Sequence, residues 1–467
     1  MPLFATDALL PDGWASDVVL DWDAAGMLRS VARDMAQPRG MPAAPGPVIP
    51  GMPNLHSHAF QRAFAGLTEV RGPIDAGERE DSFWTWRERM YAYALAVTPP
   101  MLEAIATHLY VRMLQGGYTS VCEFHYVHNN VDGRRYADDA TMSRALLVAA
   151  RRAGIGLTLL PVLYQHNGFG GVAPRAEQRR FVRDVDGVLA LVEAMRYAVA
   201  GPRERVGFAA HSLRAVAPEA LARALDALRA IDATMPIHVH IAEQRREVDE
   251  CVAALGQRPV AWLVDHVAVD AHWCLVHATH MDDAECAVAA KTGAVAGLCP
   301  TTEANLGDGT FDLARWRGAG GAWGLGSDSH VCVDAALEIA MLEYGQRLAS
   351  GRRNVGADRR EPWVATAMTT AAVAGGARAS GRDVGGLAVG ASADFAVLDD
   401  RHPALAGLEA PAIHSAAVFA SDRANAIRDV YVGGERRIHD GRHSMQDAAD
   451  AAFIGARRAL ATAAERQ

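Results

Sequence analysis

Lysine is almost absent from this 467-residue chain: it occurs once, at Lys291, and every other basic residue is an arginine. An Ala- and Arg-rich proteome accounts for the bias, but it still has a chemical consequence. Some binuclear metallohydrolases bridge two metals with a carbamylated lysine at a strand end in the middle of a barrel. Lys291 lies in the helical stretch Asp282–Thr292, on the wrong element for that. A Schiff-base lysine is disfavoured for the same reason, so metal chemistry in this chain is expected to be mononuclear. Paired cysteines are also missing. The six cysteines (Cys122, Cys251, Cys274, Cys286, Cys299, Cys332) form no CxxC pair. Most sit in apolar runs and read as buried free thiols, which fits a reducing cytoplasm. No apolar run reaches about eighteen residues, so no membrane span is expected. Met1-Pro2-Leu3-Phe4 lacks the basic and apolar regions of a signal peptide. A basic excess is lacking as well: the net charge of -9 argues against a nucleic-acid partner. Apolar residues are abundant, at 50% of the chain, enough for a large core.

The apolar run Val48–Leu55 ends in His56-Ser57-His58. On an extended strand residues i and i+2 project from one face, so two imidazoles at that spacing can grip one ion from one side. Later come His240-Ile241-Ala242-Glu243, then His277, then Gly326-Ser327-Asp328-Ser329, each after an apolar, strand-like run. Each piece alone has a plainer reading: a chance HxH pair, a hydrogen-bonded core histidine, an aspartate in a turn or helix cap. Together, in this order and context, they form a candidate ligand set for one hydrolytic metal, with Glu243 three residues after His240.

Short apolar runs alternate with helical patterns through the middle of the chain. The strand candidates are Val48–Leu55, Thr119–Phe124, Gly156–Leu163, Val206–Ala210, Ile237–Ile241, Trp273–Val276, Ala294–Leu298 and Trp323–Gly326. Between them lie helical stretches such as Pro100–Gln115, Ala140–Ala153, Ala176–Val199, Pro218–Ile231 and Asp334–Leu348. This alternation predicts an α/β fold, a parallel sheet closed into a (β/α)8 TIM-type barrel. Catalytic groups of such a barrel sit at the carboxyl ends of its strands, where His56, His58, His125, His211, His240, His277 and Asp328 all fall. The flanks read as β: Ser16–Asp21 and Met27–Val31 near the start, Ala393–Asp399 and a Gly-rich hairpin over Ile427–His439 near the end. The domains expected are 1–47 and 376–467, joined in a small β-sandwich with a terminal helix, and the barrel over 48–375. Thr68–Ala96, rich in Trp, Arg and Glu, is long for a βα loop and is expected to act as a lid.

These residues resemble the amidohydrolase superfamily over nearly the whole chain. The match is carried by Pro50-Gly51-Met52-Pro53-Asn54-Leu55-His56-Ser57-His58, His240-Ile241-Ala242-Glu243, His277, Ser327-Asp328 and the tail Gly386-Leu387-Ala388-Val389-Gly390-Ala391-Ser392-Ala393-Asp394. Within it the chain looks like the formimidoylglutamate deiminases. The shorter motifs behind that are His58-Ala59-Phe60-Gln61-Arg62, Phe83-Trp84-Thr85-Trp86-Arg87, Glu123-Phe124-His125-Tyr126 and Ala210-His211-Ser212-Leu213-Arg214.

The resemblance implies one zinc per chain, with Fe(II) as an alternative ion, on His56, His58, His240 and Asp328. It implies hydrolysis of N-formimino-L-glutamate to N-formyl-L-glutamate and ammonia, a step of histidine degradation. His277 and Asp328 would then assist deprotonation of water, and Glu243 would shuttle a proton to the imine nitrogen and to departing ammonia. Glu243 also reads as a first-turn helix acid. A dianionic substrate calls for arginines, whose planar forks bind carboxylates in pairs. Arg214 beside His211 is the first candidate and Arg87 the second, although Arg87 also reads as packed among Trp84 and Trp86. Gln61 and Tyr126 would add hydrogen bonds. A homodimer follows from the family type. His125, His128, His266, His272 and His280 are left without a role. Two rivals remain: a mononuclear deaminase acting on an aromatic base such as guanine or an adenosine derivative, and a metal-free scaffold.

Overall fold

The structure, a computed structural model, describes residues 2–70, 83–420 and 426–464. Eight parallel strands close a barrel: β1 Met52–Ser57, β2 Tyr118–His125, β3 Gly156–Leu163, β4 Phe208–Ser212, β5 Ile237–Ile241, β6 Trp273–His277, β7 Val295–Leu298 and β8 Ala322–Leu325. Pairing runs in sequence order, and Leu325 against Asn54 closes the ring. A short strand, Glu204–Val206, pairs with the start of β3 outside the ring. All eight residues of β2 and of β3 are buried, as expected of strands covered by the barrel interior on one face and helices on the other. Helices start where the sequence supplies caps. Asp282 and Glu285 form a capping box ahead of Asp283–Thr292, and Asp334 caps Ala335–Ser350 through the Leu337 N–H.

The run 48–55 does not form one strand. It splits at Gly51, where an added Cβ would lie 2.3 Å from Thr119. Val48–Pro50 leaves the barrel and joins the terminal sheet, while Met52–Ser57 becomes β1. The terminal strands (Pro2–Leu10, Gly13–Trp22, Leu28–Ala32, Phe395–Leu398, Ile427–Val432, Glu435–His439 and Arg442–His443) hydrogen-bond with Val48–Pro50 into one continuous eight-stranded sheet. Its own core gathers Leu3, Val18, Leu20, Trp22, Phe395 and Val397. The Gly433-Gly434 turn has both φ angles positive, at 55° and 71°, as such a tight hairpin requires. The final helix, Gln446–Ala464, packs on helix Pro99–Gln115. Of the expected lid, residues 71–82 lie outside the described residues. Within its remainder, Phe83–Ala96 forms a helix at the barrel mouth. No helix among the described residues is long and apolar enough to cross a membrane.

Candidate metal centre and active-site cavity

The ends of β1, β5, β6 and β8 converge on one point. His56 Nε2 lies 2.9 Å from His240 Nε2, and Asp328 Oδ1 lies 3.5 Å from His56 Nε2 and 3.4 Å from His58 Nε2. His56, His58 and His240 offer donor atoms within 4.8 Å of one another, as do His56, His277 and Asp328. Neighbouring carbonyls fix two of the rings. His58 Nδ1 donates to the Phe124 carbonyl and His240 Nδ1 to the His211 carbonyl, each at 2.9 Å. A carbonyl only accepts, so the Nδ1 atoms carry the protons and the Nε2 lone pairs face inward. Burial pushes His58 down to about 3 and holds His56 and His240 well below the usual imidazole range, so the rings are neutral. Burial raises the Asp328 carboxyl to about 7. Convergent lone pairs beside a buried carboxyl fit one divalent cation with nitrogen and oxygen ligands.

The backbone is bent to make this convergence. Ala242, His277, Ala278, Asp328 and His330, all at the mouth, have positive φ, between 41° and 66°. Such strain persists where surrounding structure over-determines it, and it collects at functional sites. Here β1 and the β8 turn are cross-tied. Asp328 N donates to the His56 carbonyl at 2.9 Å, and Asn54 Nδ2 donates to Ser327 Oγ at 2.7 Å. His330 bridges Ser57 Oγ at 3.2 Å and Ser327 Oγ at 3.0 Å. Glu123 accepts from Ser57 Oγ at 2.5 Å, Ala59 N at 2.7 Å and Tyr110 at 3.1 Å, which locks the chain on both sides of His58.

Above the cluster of candidate ligands lies a cavity. Its wall includes His58, His240, Glu243, His277 and Asp328, together with Gln61, Arg87, Tyr126, His211 and Arg214, so every candidate side chain from the sequence except His56 lines it. His56 is wholly buried below its floor. Gln61 Nε2 donates to the Tyr126 hydroxyl at 3.0 Å. Glu243 Oε1 lies 3.7 Å from His277 Nε2, and its Oε2 lies 3.9 Å from Arg214 Nη2. Arg214 also lies 3.9 Å from Glu247 Oε1. Burial works against the Arg214 charge, but Glu247 and Glu243 outweigh it and raise its pKa. For His277, burial is outweighed by Glu243, Glu303 and Asp328, and its pKa rises to about 10. Arg87 lies on helix Phe83–Ala96, with its guanidinium 5.6 Å from the Tyr91 ring.

Several wall residues escaped the sequence reading. Gln178 Nε2 reaches the hydroxyls of Tyr91 at 3.0 Å and Tyr164 at 2.7 Å and the Asn167 amide oxygen at 2.8 Å. Both tyrosines and Asn167 face the cavity. Glu303 Oε1 lies behind His277, 3.3 Å from Nδ1. Its position after the strand-like run Ala294–Leu298 was the available signal. Of the histidines left without a role, His128 donates to the Val162 carbonyl, His266 stacks on Trp262, and His280 donates to the Asp308 carbonyl. His125 packs edge-on to His128, and His272 pairs with Asp270.

The model of the amidohydrolase family matches residues 48–437. A formimidoylglutamate deiminase of Pseudomonas aeruginosa is 49% identical over 453 residues, covering 97% of this chain and 98% of that protein. The crystal structure of an amidohydrolase from Brucella melitensis superposes with a TM-score of 0.92 at 45% identity, covering 98% of this chain and 99% of that one. An adenosine deaminase from Xanthomonas campestris, solved with bound zinc, shares the fold at a TM-score of 0.79 and 20% identity, over 99% of this chain and 98% of its own. Strand order, a ligand cluster at the carboxyl ends and a family match that starts at Val48 and runs through the barrel agree, and the chain belongs to the amidohydrolase family.

Proposed function

We propose that the protein is a metal-dependent deiminase that hydrolyses N-formimino-L-glutamate to N-formyl-L-glutamate and ammonia. The observation that carries this reading is the 49% identity, over almost the full length of both chains, to the P. aeruginosa formimidoylglutamate deiminase. The cavity supports it. Two arginines, Arg87 and Arg214, face the same space as the ligand cluster, as a substrate with two carboxylates requires.

His56, His58, His240 and Asp328 are the proposed ligands of a single zinc. Three imidazole nitrogens and one carboxylate suit that ion, which the adenosine deaminase neighbour also carries. When bound, the cation supplies a Lewis acid that brings the pKa of water toward neutrality. Arg214 and Arg87 seat the substrate carboxylates, and Gln61, Tyr126 and His211 complete the contacts that orient the formimino carbon. Asp328 accepts the proton of the attacking water, and His277, which the surrounding carboxylates hold protonated, stabilises the charge that develops there. Glu243 hands one proton to the imine nitrogen and then passes the hydroxyl proton of the tetrahedral carbon to the departing amine, which leaves as ammonia while the new oxygen becomes the formyl group; the proton held by Asp328 resets Glu243.

The test is ammonia release over a panel of formiminoglutamate, guanidino acids, guanine and adenosine. Release from formiminoglutamate alone is the expected result. Preference for a purine would overturn the reading in favour of an aromatic-base deaminase.

A further inference from the structure

His277 is held from two sides. Its Nε2 faces Glu243 Oε1 at 3.7 Å and Asp328 Oδ2 at 3.8 Å, and its Nδ1 lies 3.3 Å from Glu303 Oε1. Glu303 sits on the short helix Pro300–Leu306 that follows β7. It is buried, it is not among the residues that line the cavity, and it is absent from the four-residue ligand set proposed above. The same Oε1 accepts the backbone N–H of Cys299 at 2.9 Å. That oxygen is therefore an acceptor, and the proton of the histidine contact belongs to His277 Nδ1.

Glu303 is itself fixed in place. Its N–H donates to the Cys299 carbonyl and its carbonyl accepts from Asp308 N, both at 2.9 Å. His277 is a residue that needs such fixing. Its φ is 66° and that of Ala278 is 50°, so the strand ends in a strained left-handed turn that aims the ring. One face of the ring lies parallel to His240 at 5.6 Å. Stacking sets the plane but leaves open which nitrogen faces the cavity, and a carboxylate behind the ring decides that.

We propose that Glu303 is a positioning residue for the reaction: it accepts the Nδ1–H of His277 and so fixes the ring rotation that turns Nε2 toward Asp328 and Glu243. A residue outside the cavity thus sets the readiness of one that lines it. Only the kinetic arm of the test rests on the deiminase reading.

The first arm is ¹⁵N NMR of metal-free, full-length protein labelled at histidine, with the His277 signals assigned by their loss in His277→Asn. A protonated Nδ1 is expected in the unsubstituted protein, together with loss of its slowly exchanging proton in Glu303→Ala. An unprotonated Nδ1 overturns the inference without any substrate. The second arm is steady-state kinetics with metal analysis. Glu303→Ala should lower kcat by about 10–100-fold, the usual cost of losing such an outer carboxylate. KM should stay within about twofold and metal content should be unchanged. Glu303→Gln, whose amide oxygen still accepts, should restore most of kcat. A wild-type kcat in Glu303→Ala, or equal losses in both variants with loss of metal, overturns the proposal. Should Glu303→Ala not fold, the NMR of the unsubstituted protein and the Glu303→Gln kinetics decide. Failure of all substrates with a protonated Nδ1 would count against the deiminase reading instead.

Discussion

Glu243 sits between partners of opposite character, with the His277 ring 3.7 Å away on one side and the Arg214 guanidinium 3.9 Å away on the other. Its backbone N–H is tied to Glu247 Oε2 at 3.0 Å, so the carboxylate is aimed from a fixed base. Glu243→Gln keeps the shape and removes the proton. The variant should retain metal and lose about 10²-fold or more in kcat, read by ammonia release beside metal analysis; near-normal turnover would place the proton shuttle elsewhere. Under the proposed reading Arg214 has two duties, because it also faces Glu247, a wholly buried carboxyl whose pKa burial raises and Arg214 lowers. Arg214→Ala should cost roughly 1.5–3 kcal/mol of substrate contact, about tenfold to 150-fold in kcat/KM. It should also lower Tm, since it strips a cation from beside buried carboxylates. Adding Glu247→Gln should recover part of the Tm and none of the kcat/KM, and recovery of both would mean that Arg214 is structural. Residues of this kind were legible in the sequence because their chemistry coincides with strand ends. His56, His58, His240 and Asp328 each close an apolar run. Glu303, Gln178 and Glu123 touch other side chains of the site, and nothing in one sequence marks which buried acceptor faces which donor.

Elements were legible where one physical signal dominated. Gly156–Leu163 is apolar except for Thr158, Ile237–Ile241 alternates Ile, Val and Ile with His238 and His240, Pro218–Ile231 opens on a proline, and all three have the bounds read from the sequence. The stretch 176–199, read as one helix, breaks into the short turn Ala176–Gln178 and helix Val185–Ala198. Asp184 caps the latter through Gly187 N, a start signal that helical periodicity hid. Val48–Leu55 failed as one strand for a tertiary reason: Thr119 crowds Gly51 and the chain changes sheets there. Packing between elements also stores a pH response. Glu338, on helix Ala335–Ser350, meets Thr301 at the start of Pro300–Leu306, accepting from Oγ1 at 2.5 Å and from N at 2.9 Å. Burial raises its pKa from 4.5 to about 8, more than those hydrogen bonds lower it. The folded state therefore holds this proton more tightly than the unfolded chain. Its contribution is complete below about pH 4.5 and is lost as pH rises through about 8, at about 1.4 kcal/mol per pKa unit. Glu338→Gln should flatten the fall of Tm between pH 5 and pH 8.5 measured by thermal melts. Parallel melting curves for the two proteins would show that Glu338 stays charged when folded.

At the scale of the whole molecule, the proposed ligands come from three strands spread around the ring. His56 and His58 lie at the end of β1, His240 on β5 and Asp328 after β8, and β5 reaches β1 in chain order only through three further strands. A cation held by all three ties the mouth of the barrel across its diameter, so it binds the folded chain and has no equivalent site in the unfolded one. Stability should then depend on free metal: at a hundredfold excess over Kd the gain is about 2.7 kcal/mol. Spread over a chain of this size, that is roughly 3 °C in Tm. A chelator should lower Tm by at least that much, and zinc should restore it with activity. Elemental analysis of metal-loaded protein should give about one ion per chain, because the only lysine, Lys291, stands on helix Asp283–Thr292, away from the ligand cluster, and no bridging lysine is available. His56→Asn should abolish both the zinc-dependent Tm shift and turnover, since it removes the ligand at the floor. Two ions per barrel in an active sample would sink the mononuclear reading. A Tm indifferent to chelation while activity disappears would show instead that the cross-ties through Asn54, Ser327 and His330 hold the mouth closed without the cation.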